Sequence, residues 1–498
     1  MIIPPSTFLA DERVFPFLGP LKVAAELRRN GNPVDLLDLS GYADFEYIVS
    51  HYATHTPVRT FGITATTPQI PAAVKTLQQI KRIIPEASVI LGGPHLTLTH
   101  AAMIQDAKAH RSGRGTKAFI QLQNLFDRLV VGDGELAVFD AIDPAVHDQT
   151  IDAGHMGSRF FLQRGGLDDF PFPARDLIDL ETYHYTIEGR RAFSVIAQLG
   201  CPFECGFCGG RDAQTFRVTR SRSIHNVIDE IQHVVQDSIA RGNPYKAVMF
   251  YDDELNVMPS NLEDLCRCLI DMQDRLGIDM RFRGFIKAEL FTEDQARLMA
   301  LAGFSVVLSG VESGSDDILS TMRKHTSRAI NSRCVELAHG AGLKFKALMS
   351  IGHPGESERT VAESVDWVLQ SRPDDVDWTI ITEYPGAPYF DRSAYVAELD
   401  AWLYTEPRTG NRLWSRAVDY STEAEYYKGI PGDYTAYVWT DTLSSERLVE
   451  LRDQAEHVTK AALGLGPIVA AAPMQFEHSM GQDHRRLPPG ILRSTWPG

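Results

Sequence analysis

The sequence predicts an α/β protein in three parts: an N-terminal doubly wound parallel sheet, a partial (β/α)6 barrel and a small, mainly helical C-terminal domain. Two observations carry this prediction. Short β-rich runs alternate with amphipathic helical segments over residues 1–140 and again over residues 191–391, as in parallel sheets covered by helices. The second stretch holds six strand–helix units, too few to close a full barrel of parallel strands.

The first domain is predicted to span residues 1–145. Helical spacing of apolar residues separates its strands at 18–30 and 68–84, and the predicted strands are Val34–Leu39, Val58–Thr64, Ser88–Leu91 and Arg128–Val131. Ligands of doubly wound sheets bind at the carboxyl ends of the strands. Those ends are rich in small and hydrogen-bonding residues, which let a bulky ligand approach the backbone: Thr64-Ala-Thr-Thr-Pro-Gln69, Gly92-Gly-Pro-His95 and Gly132-Asp-Gly-Glu135.

A linker is predicted at 146–190 and the partial barrel at 191–391. The predicted barrel strands are Phe193–Leu199, Ala247–Tyr251, Met280–Ile286, Ser305–Gly310, Phe345–Ile351 and Trp378–Thr382. Chemistry-bearing residues lie at or near the carboxyl end of every one of them, where barrels place their active sites: the cysteine loop after the first strand, then Asp252-Asp-Glu254, Arg283, Gly310-Val-Glu-Ser-Gly314, Gly352-His-Pro-Gly-Glu356 and Glu383-Tyr-Pro-Gly386.

The C-terminal part, 392–498, contains one clear helical segment at Ser445–Leu463, and its last thirty residues are predicted to be disordered. Nine aromatic residues suggest that this domain caps the site, although aromatic packing within it explains them almost as well: Trp402, Tyr404, Trp414, Tyr420, Tyr426, Tyr427, Tyr434, Tyr437 and Trp439.

Cys201, Cys205 and Cys208 follow the first barrel strand with the spacing C-x3-C-x2-C. Three clustered thiolates can hold three irons of a cubane iron–sulfur cluster, which leaves the fourth iron open to a small molecule. A structural zinc site is the alternative. Zinc normally takes four protein ligands, however, and His225 is the nearest candidate for the fourth. The pattern therefore favours a cluster. The other three cysteines, Cys266, Cys268 and Cys334, are predicted to be core thiols in helices.

Composition argues against several classes of partner. The net charge is −16 and basic residues are not bunched, which disfavours a nucleic-acid backbone or an anionic membrane as the main partner. No apolar run reaches the length of a membrane-spanning helix, and the first residues lack the pattern of a signal peptide. We therefore expect a reduced, cytoplasmic setting, where cysteines serve as metal ligands or free thiols.

The cysteine loop, with the aromatic Phe207 before its last cysteine, resembles the radical S-adenosylmethionine superfamily. Further segments are similar to that superfamily's motifs, in order: Arg220-Ser-Arg-Ser223, Asp252-Asp253, Gly310-Val-Glu-Ser-Gly-Ser315, Gly352-His-Pro-Gly-Glu356 and Tyr384-Pro-Gly-Ala-Pro388. Residues 1–140 resemble the cobalamin-binding domain fused to a large branch of it. Two positions depart from the usual pattern: His353 replaces a hydrophobic residue, so it either faces substrate or substitutes for an apolar side chain, and Ala387 stands where Thr is frequent.

The resemblance implies that Cys201, Cys205 and Cys208 hold a 4Fe–4S cluster whose open iron binds S-adenosylmethionine. It implies further contacts to this cofactor. Glu312 would bind a ribose hydroxyl, and glycines would let the backbone approach adenosine, while Ser309 is a further candidate contact. Asp252, Asp253 and Arg283 would contact the sulfonium ligand or substrate, or form a structural ion pair. The glycines are Gly310, Gly314 and Gly352.

The cobalamin-binding pattern D-x-H-x-x-G is missing, because Asp38 has no His two residues after it. In the branch that this chain resembles, this absence is common and does not abolish binding. The resemblance then places Thr64, Thr66 and Gln69 beside the corrin, with Gly92, Gly93 and Glu135 near the nucleotide tail. His95 is an alternative cobalt ligand or a loop contact, and loss of cobalamin altogether is the remaining alternative.

The resemblance implies a cobalamin-dependent radical methyltransferase that acts on an unactivated carbon, or on phosphorus, of a small biosynthetic molecule. One S-adenosylmethionine would methylate cobalt and another would give a 5′-deoxyadenosyl radical, with electrons from a flavodoxin-type or ferredoxin-type reductant. A ring contraction, cyclisation or rearrangement without methyl transfer is the second hypothesis. Two other hypotheses are disfavoured. An RNA-modifying enzyme would be expected to carry a basic domain, and a simple electron-transfer protein would need neither Glu312 nor functional residues at six strand ends.

Overall fold

The computed structural model describes residues 1–6, 12–163, 165–424 and 435–465. Three of the nine aromatic residues singled out in the sequence, Tyr426, Tyr427 and Tyr434, lie outside the described residues, as does the tail predicted to be disordered. Among the described helices, none combines the length and the apolar character needed to cross a bilayer.

The N-terminal sheet has six parallel strands in the order β2-β1-β3-β4-β5-β6. Its elements are β1 (Ile2–Ile3), α1 (Leu18–Arg29), β2 (Leu37–Asp38), α2 (Phe45–His55), β3 (Thr60–Thr64), α3 (Ile70–Ile83), β4 (Ser88–Gly92), α4 (Pro94–Lys108), α5 (Arg114–Leu125), β5 (Arg128–Gly132), α6 (Gly134–Ile142) and β6 (Thr150–Ala153). Adjacent residues of β4 pack on opposite faces of the sheet. Val89 belongs to an apolar core with α2, α3 and α5, and Ile90 belongs to another with α6. Burial on both faces explains the nearly continuous apolar runs of these strands.

Strand β6 lies inside the segment that the sequence assigned to a linker. It pairs in parallel with β5 and completes the first sheet, so a boundary at residue 145 would cut this sheet before its last strand. The sequence Thr150-Ile-Asp-Ala153 is short and half polar, which explains why it gives no apolar run to mark it as a strand. The fold class predicted for this part, a doubly wound parallel sheet, is confirmed.

The second sheet is the predicted partial barrel. Its order is β15-β14-β13-β12-β11-β8-β7; six strands are parallel, and β7 is antiparallel to β8. Its elements are β7 (Thr186–Ile187), β8 (Arg190–Val195), β9 (Gln198–Leu199), α7 (Gln214–Arg217), β10 (Arg220–Ser221), α8 (Ile224–Ala240), β11 (Ala247–Phe250), α9 (Pro259–Leu276), β12 (Arg281–Phe285), α10 (Glu293–Ala302), β13 (Phe304–Glu312), α11 (Asp316–Thr321), α12 (Arg328–Gly340), β14 (Lys344–Ile351), α13 (Glu358–Ser371), β15 (Asp375–Ile380) and α14 (Pro388–Asp391).

The C-terminal part differs from the mainly helical domain predicted. It forms a four-stranded antiparallel sheet followed by one helix: β16 (Ala394–Val396), β17 (Ala401–Thr405), β18 (Arg412–Arg416), β19 (Val438–Trp439) and α15 (Ser445–Ala462). In β17 and β18, buried residues alternate with more exposed ones, and aromatic side chains are frequent; both features favour strands. The aromatic content therefore reflects a sheet and not a helical bundle.

Helix α15 belongs to the outer layer of the barrel. It packs against β15, where the Trp378 indole Nε1 donates to Thr459 Oγ1 at 3.0 Å and Arg452 Nε donates to the Trp378 carbonyl at 3.0 Å. Leu448 and Ala455 of α15 belong to the same apolar core as the barrel strands. The last described helix thus covers the last strand of the barrel sheet.

Candidate active site between the two sheets

A cavity of about 560 Å³ extends from the N-terminal sheet to the start of the cysteine loop. On one side it is lined by the strand ends of the first sheet, including Thr64, Gly92, Gly93 and the turn from Gly132 to Glu135. On the other side it is lined by residues 196–199, which follow β8 and lead directly into Cys201. The strand ends predicted to bind a ligand therefore open onto the barrel's first loop.

The N-terminal domain and the two-stranded sheet formed by β9 and β10 are joined at this cavity by a buried ion pair. Arg220 is 1% exposed, and its guanidinium binds the carboxylate of Asp133. The same side chain donates to the carbonyls of Thr215 at 2.8 Å and Leu162 at 3.2 Å. Burial raises the pKa of Asp133, and the charge of Arg220 opposes that rise. Arg220 and Asp133 come from two segments that the sequence singled out separately, and the fold brings them together.

The cysteine loop is enclosed by a small antiparallel ladder between β9 and β10. Gly200, directly before Cys201, has a φ of +81°, and a Cβ there would lie 2.3 Å from the Val218 carbonyl oxygen, so only glycine fits. At the middle of the loop, Gly206 N donates to the Met322 carbonyl and Gly206 O accepts from Tyr389 N. The loop is thus held by both α11 and α14.

Arg211 supplies a fixed positive charge to this loop. It is 4% exposed and donates to the carbonyls of Cys201, Phe203 and Phe216. Burial raises the pKa of the Cys201 and Cys208 thiols, and the guanidinium of Arg211 opposes this rise. A buried cation beside three thiolates suits an anionic cluster. Arg211 lies three residues after Cys208, and no pattern in the sequence marks it as part of the site.

The three cysteine sulfurs do not form a single-ion site. Among the described residues, no group of three His, Cys, Asp or Glu side chains is arranged to hold one metal ion. A cubane cluster binds each cysteine through a different iron, so its ligands need not converge on one point, whereas a zinc ion needs four ligands at about 2.0–2.3 Å. Iron and zinc analysis of the purified protein separates the two alternatives.

Glu312 is the centre of a polar network at the end of β13. Its Oε1 binds Lys324 Nζ at 3.2 Å, and its Oε2 accepts from Ser350 Oγ at 2.7 Å. The residue has a φ of +66° and follows an irregularity in the β13–β14 pairing. The predicted ribose ligand therefore lies at the barrel rim with its carboxylate held from two sides. Lys324 and Ser350 were missed in the sequence, because a buried lysine after a short helix and a serine inside a strand carry no distinctive pattern.

His353 belongs to the same network and is completely buried. Its Nε2 lies 2.8 Å from Ser350 Oγ, and its ring meets the edge of the Phe207 ring at a centroid distance of 5.2 Å. Burial lowers the pKa of His353 to about 4, so the ring is neutral at pH 7. Of the two sequence alternatives for this position, the structure places it in the interior, beside the aromatic residue of the cysteine loop.

The glycines predicted to approach adenosine all have protein neighbours where a side chain would be. A Cβ at Gly310 would lie 2.4 Å from Glu312 Oε1, and one at Gly314 would lie 2.6 Å from the Glu363 carbonyl of α13. A Cβ at Gly352 would lie 3.3 Å from Val438 of the C-terminal sheet. Packing of α13 against this turn therefore requires glycine at position 314, and its approach to adenosine stays a prediction. Ser309 is buried within β13.

Asp252 and Arg283 are buried and hydrogen-bonded to other parts of the protein. Asp252 Oδ2 accepts from Ala197 N at 3.1 Å, which fixes the segment before the cysteine loop, and burial raises the pKa of this carboxyl to about 7. Arg283 lies in the middle of β12 with no exposed surface, and its guanidinium donates to Tyr185 Oη. It stands two residues before the end of β12, and its contact with a cofactor or substrate stays a prediction. Asp253 is exposed, close to the charge of Arg211.

Of the residues predicted beside the corrin, only Thr64 lines the cavity. Gln69 is 1% exposed; its Nε2 donates to the Pro4 carbonyl at 2.7 Å, and its Oε1 accepts from Thr66 Oγ1 at 2.9 Å. Thr66 and Gln69 therefore stabilise the turn after β3, a role that a loop rich in Thr and Gln does not reveal in sequence. The residues predicted near the nucleotide tail, Gly92, Gly93 and Glu135, also line the cavity. Burial raises the pKa of the Glu135 carboxyl to about 7.

A second cavity, of about 440 Å³, lies between α5 and the C-terminal sheet. Three of the predicted capping aromatics line it: Trp402, Tyr420 and Tyr437. His95 lines it as well, and its Nδ1 lies 3.0 Å from Thr67 Oγ1. The other described aromatics pack internally: Tyr404 lies against Tyr389 at a centroid distance of 4.7 Å, and Trp414 stacks with Trp439 at 6.4 Å.

Comparison with known families gives one match inside the barrel. The model of the radical SAM superfamily matches residues 195–368, which include the three cysteines and Glu312. An uncharacterised methyltransferase of Pyrococcus horikoshii is 25% identical over 402 residues, 78% of this chain and 81% of that protein. The anaerobic magnesium-protoporphyrin IX monomethyl ester cyclase of Rubrivivax gelatinosus is 23% identical over 354 residues, 66% of this chain and 57% of that protein.

Among solved structures, the chain is similar to the radical S-adenosylmethionine methyltransferase TsrM of Kitasatospora setae, determined with cobalamin and a [4Fe-4S] cluster bound. The TM-score is 0.61 at 17% identity, and the match covers 93% of this chain and 90% of TsrM. At that identity the likeness concerns the fold, and it extends over both sheets and the C-terminal part.

Proposed function

Because the chain carries a radical SAM domain over residues 195–368, we propose that it is a cobalamin-dependent methyltransferase acting on an unactivated carbon of a small molecule. The observation that carries the proposal is the first cavity. Strand-end glycines of the N-terminal sheet and the residues leading into Cys201 line the same space. A cofactor held by the first sheet would therefore lie next to one held by the cysteine loop.

The residues present fit both groups. Cys201, Cys205 and Cys208 would hold the cluster, with Arg211 as the buried counter-charge. Glu312, paired with Lys324, would accept a hydrogen bond from the ribose of S-adenosylmethionine. Gly92, Gly93 and Gly132 line the cavity in which a corrin would lie. When bound, these groups supply the hard chemistry, an electron for radical formation and a methyl carrier.

The decisive experiment is anaerobic purification followed by metal analysis and a single incubation with S-adenosylmethionine and a strong reductant. We expect about four irons per chain for a cubane cluster, together with cobalt and release of 5′-deoxyadenosine. S-adenosylhomocysteine should form as well, because each S-adenosylmethionine that would methylate the bound cobalamin is converted to S-adenosylhomocysteine. A chain that binds no corrin and forms no 5′-deoxyadenosine would refute the proposal.

A cyclisation or rearrangement is the second candidate, and the similarity to a protein named as a cyclase favours it. The same incubation separates the two reactions. A methyltransferase methylates its bound cobalamin even without substrate, so S-adenosylhomocysteine forms beside 5′-deoxyadenosine in proportion to the cobalamin present. A rearrangement consumes S-adenosylmethionine to give 5′-deoxyadenosine without a matching amount of S-adenosylhomocysteine.

The cavity itself can be tested by filling it. Gly19 lies exposed on α1 at the cavity wall, and a Cβ there meets no atom within 4 Å. Gly19→Phe should therefore lower cobalamin retention several-fold without loss of thermal stability, because the ring occupies ligand space and displaces no packed atom. The matched control is Gly340→Phe on α12, where a Cβ also meets nothing within 4 Å, away from the cavity. Equal cobalamin content in both variants would argue against this cavity as the site.

A further inference from the structure

The residue that departs most clearly from the motif of its segment, His353, is built into a buried hydrogen-bonded chain. It has no exposed surface, and its ring lies between the rings of Phe207 and Tyr389 at centroid distances of 5.2 and 6.3 Å. A hydrophobic side chain would satisfy those two aromatic neighbours equally well. The nitrogen Nε2 is what sets histidine apart here, and it lies 2.8 Å from Ser350 Oγ.

The direction of each hydrogen bond in this network follows from the carboxylate of Glu312, which stands at one end of it. Glu312 forms an ion pair with Lys324, so its carboxylate can only accept hydrogen bonds. Ser350 has one hydroxyl proton and must donate it to Glu312 Oε2, at 2.7 Å. His353 Nε2 must then carry a proton and donate it to Ser350 Oγ. The chain runs from His353 through Ser350 to Glu312.

We propose that His353 is a positioning residue for Glu312: through Ser350 it fixes the carboxylate in the orientation that binds the ribose hydroxyls of S-adenosylmethionine. The inference rests on the proposed function, because it takes Glu312 as the ribose ligand. A serine hydroxyl rotates about its Cβ–Oγ bond unless a second partner fixes it. The histidine supplies that partner, and a chain of donors also polarises the last hydrogen bond.

The same geometry links the two halves of the S-adenosylmethionine site. Phe207 lies between Cys205 and Cys208 in sequence, and its ring contacts the histidine that supports Glu312. One buried side chain therefore contacts the cluster loop on one side and the ribose carboxylate, through Ser350, on the other. Such coupling predicts an effect on ribose binding in particular, and not on the cluster.

The test measures equilibrium binding without reductant, so that no turnover occurs. The holoprotein, His353→Leu, His353→Gln and Ser350→Ala are each titrated with S-adenosylmethionine and with its 2′,3′-dideoxyribose analogue. We expect His353→Leu and Ser350→Ala each to weaken binding of S-adenosylmethionine about tenfold, the effect of one coupled contact. The affinity for the analogue, which lacks the hydroxyls that Glu312 would bind, should stay unchanged. The cluster absorbance should be that of the wild type.

Two further variants separate positioning from packing. His353→Gln keeps an N–H donor and should restore most of the affinity, and the double variant His353→Leu/Ser350→Ala should bind no more weakly than either single variant. Unchanged affinity in His353→Leu overturns the inference, and so does equal weakening for both ligands. If His353→Leu does not fold, Ser350→Ala decides, because it removes no ring. A wild-type chain that fails to bind S-adenosylmethionine overturns the proposed function as well.

Discussion

Replacing Cys205 with alanine is expected to remove the iron–sulfur absorbance of the purified chain and, with it, all formation of 5′-deoxyadenosine. Cys205 is the most buried of the three loop cysteines, and its neighbour Gly206 is bonded on both sides to α11 and α14. A cluster left with two thiolate ligands from this loop is not retained. Iron content and the visible spectrum measure the first effect, and product analysis measures the second.

The matched control is Cys268→Ala, which removes a partly exposed cysteine from α9, outside the loop. It should keep its iron, its spectrum and its activity. Cobalamin content provides a second comparison, because the corrin is proposed to bind the N-terminal sheet. Cys205→Ala should retain it, and full cluster absorbance in Cys205→Ala would disprove the assignment of the loop.

Replacing Arg220 with alanine is expected to cause the largest loss of stability. Arg220 of β10 is fully buried, binds Asp133 of the N-terminal domain and also holds two backbone carbonyls. Removal of one partner leaves a buried carboxylate uncompensated, which costs about 3–5 kcal/mol. Thermal unfolding should show a clear drop in Tm, and cobalamin retention should fall because Asp133 lines the cavity.

Arg217→Ala is the control for this effect. Arg217 lies three residues earlier and pairs with Glu204, but both side chains are exposed, at 40% and 57%. An exposed pair of this kind contributes about 0–1 kcal/mol, so the variant should unfold within a few degrees of the wild type. Similar losses in Arg217→Ala and Arg220→Ala would mean that the buried pair contributes no more to stability than the exposed one.

The parallel parts of the fold could be predicted because their hydrophobic patterns are strong. Apolar runs such as Ser88–Gly92 and Phe304–Glu312 are buried on both faces, and helices of regular spacing separate them. The three cysteines could be predicted from spacing alone. Glu312 could be predicted only from resemblance, since nothing in a single carboxylate shows what it binds.

The remaining parts of the site depend on contacts between residues far apart in sequence. Lys324, Ser350 and His353 form a network with Glu312 only after folding brings their separate loops and strands together. Thr66 and Gln69 have the right chemistry for a ligand, but bond to each other and to Pro4. The C-terminal sheet escaped prediction because β16 to β19 are short and their aromatic residues suit a helix core as well as a strand.

The place of α15 has a consequence for how the protein is made. The helix covers β15 through Trp378, Arg452 and Thr459, yet it is translated only after the whole C-terminal sheet. Until the ribosome has released it, the last barrel strand keeps one apolar face uncovered, and the rim that holds Glu312 rests on an incomplete sheet. Insertion of an oxygen-sensitive cluster is therefore best delayed until synthesis of the chain is nearly complete. A nascent chain that still lacks α15 therefore exposes apolar surface of the kind through which folding intermediates aggregate.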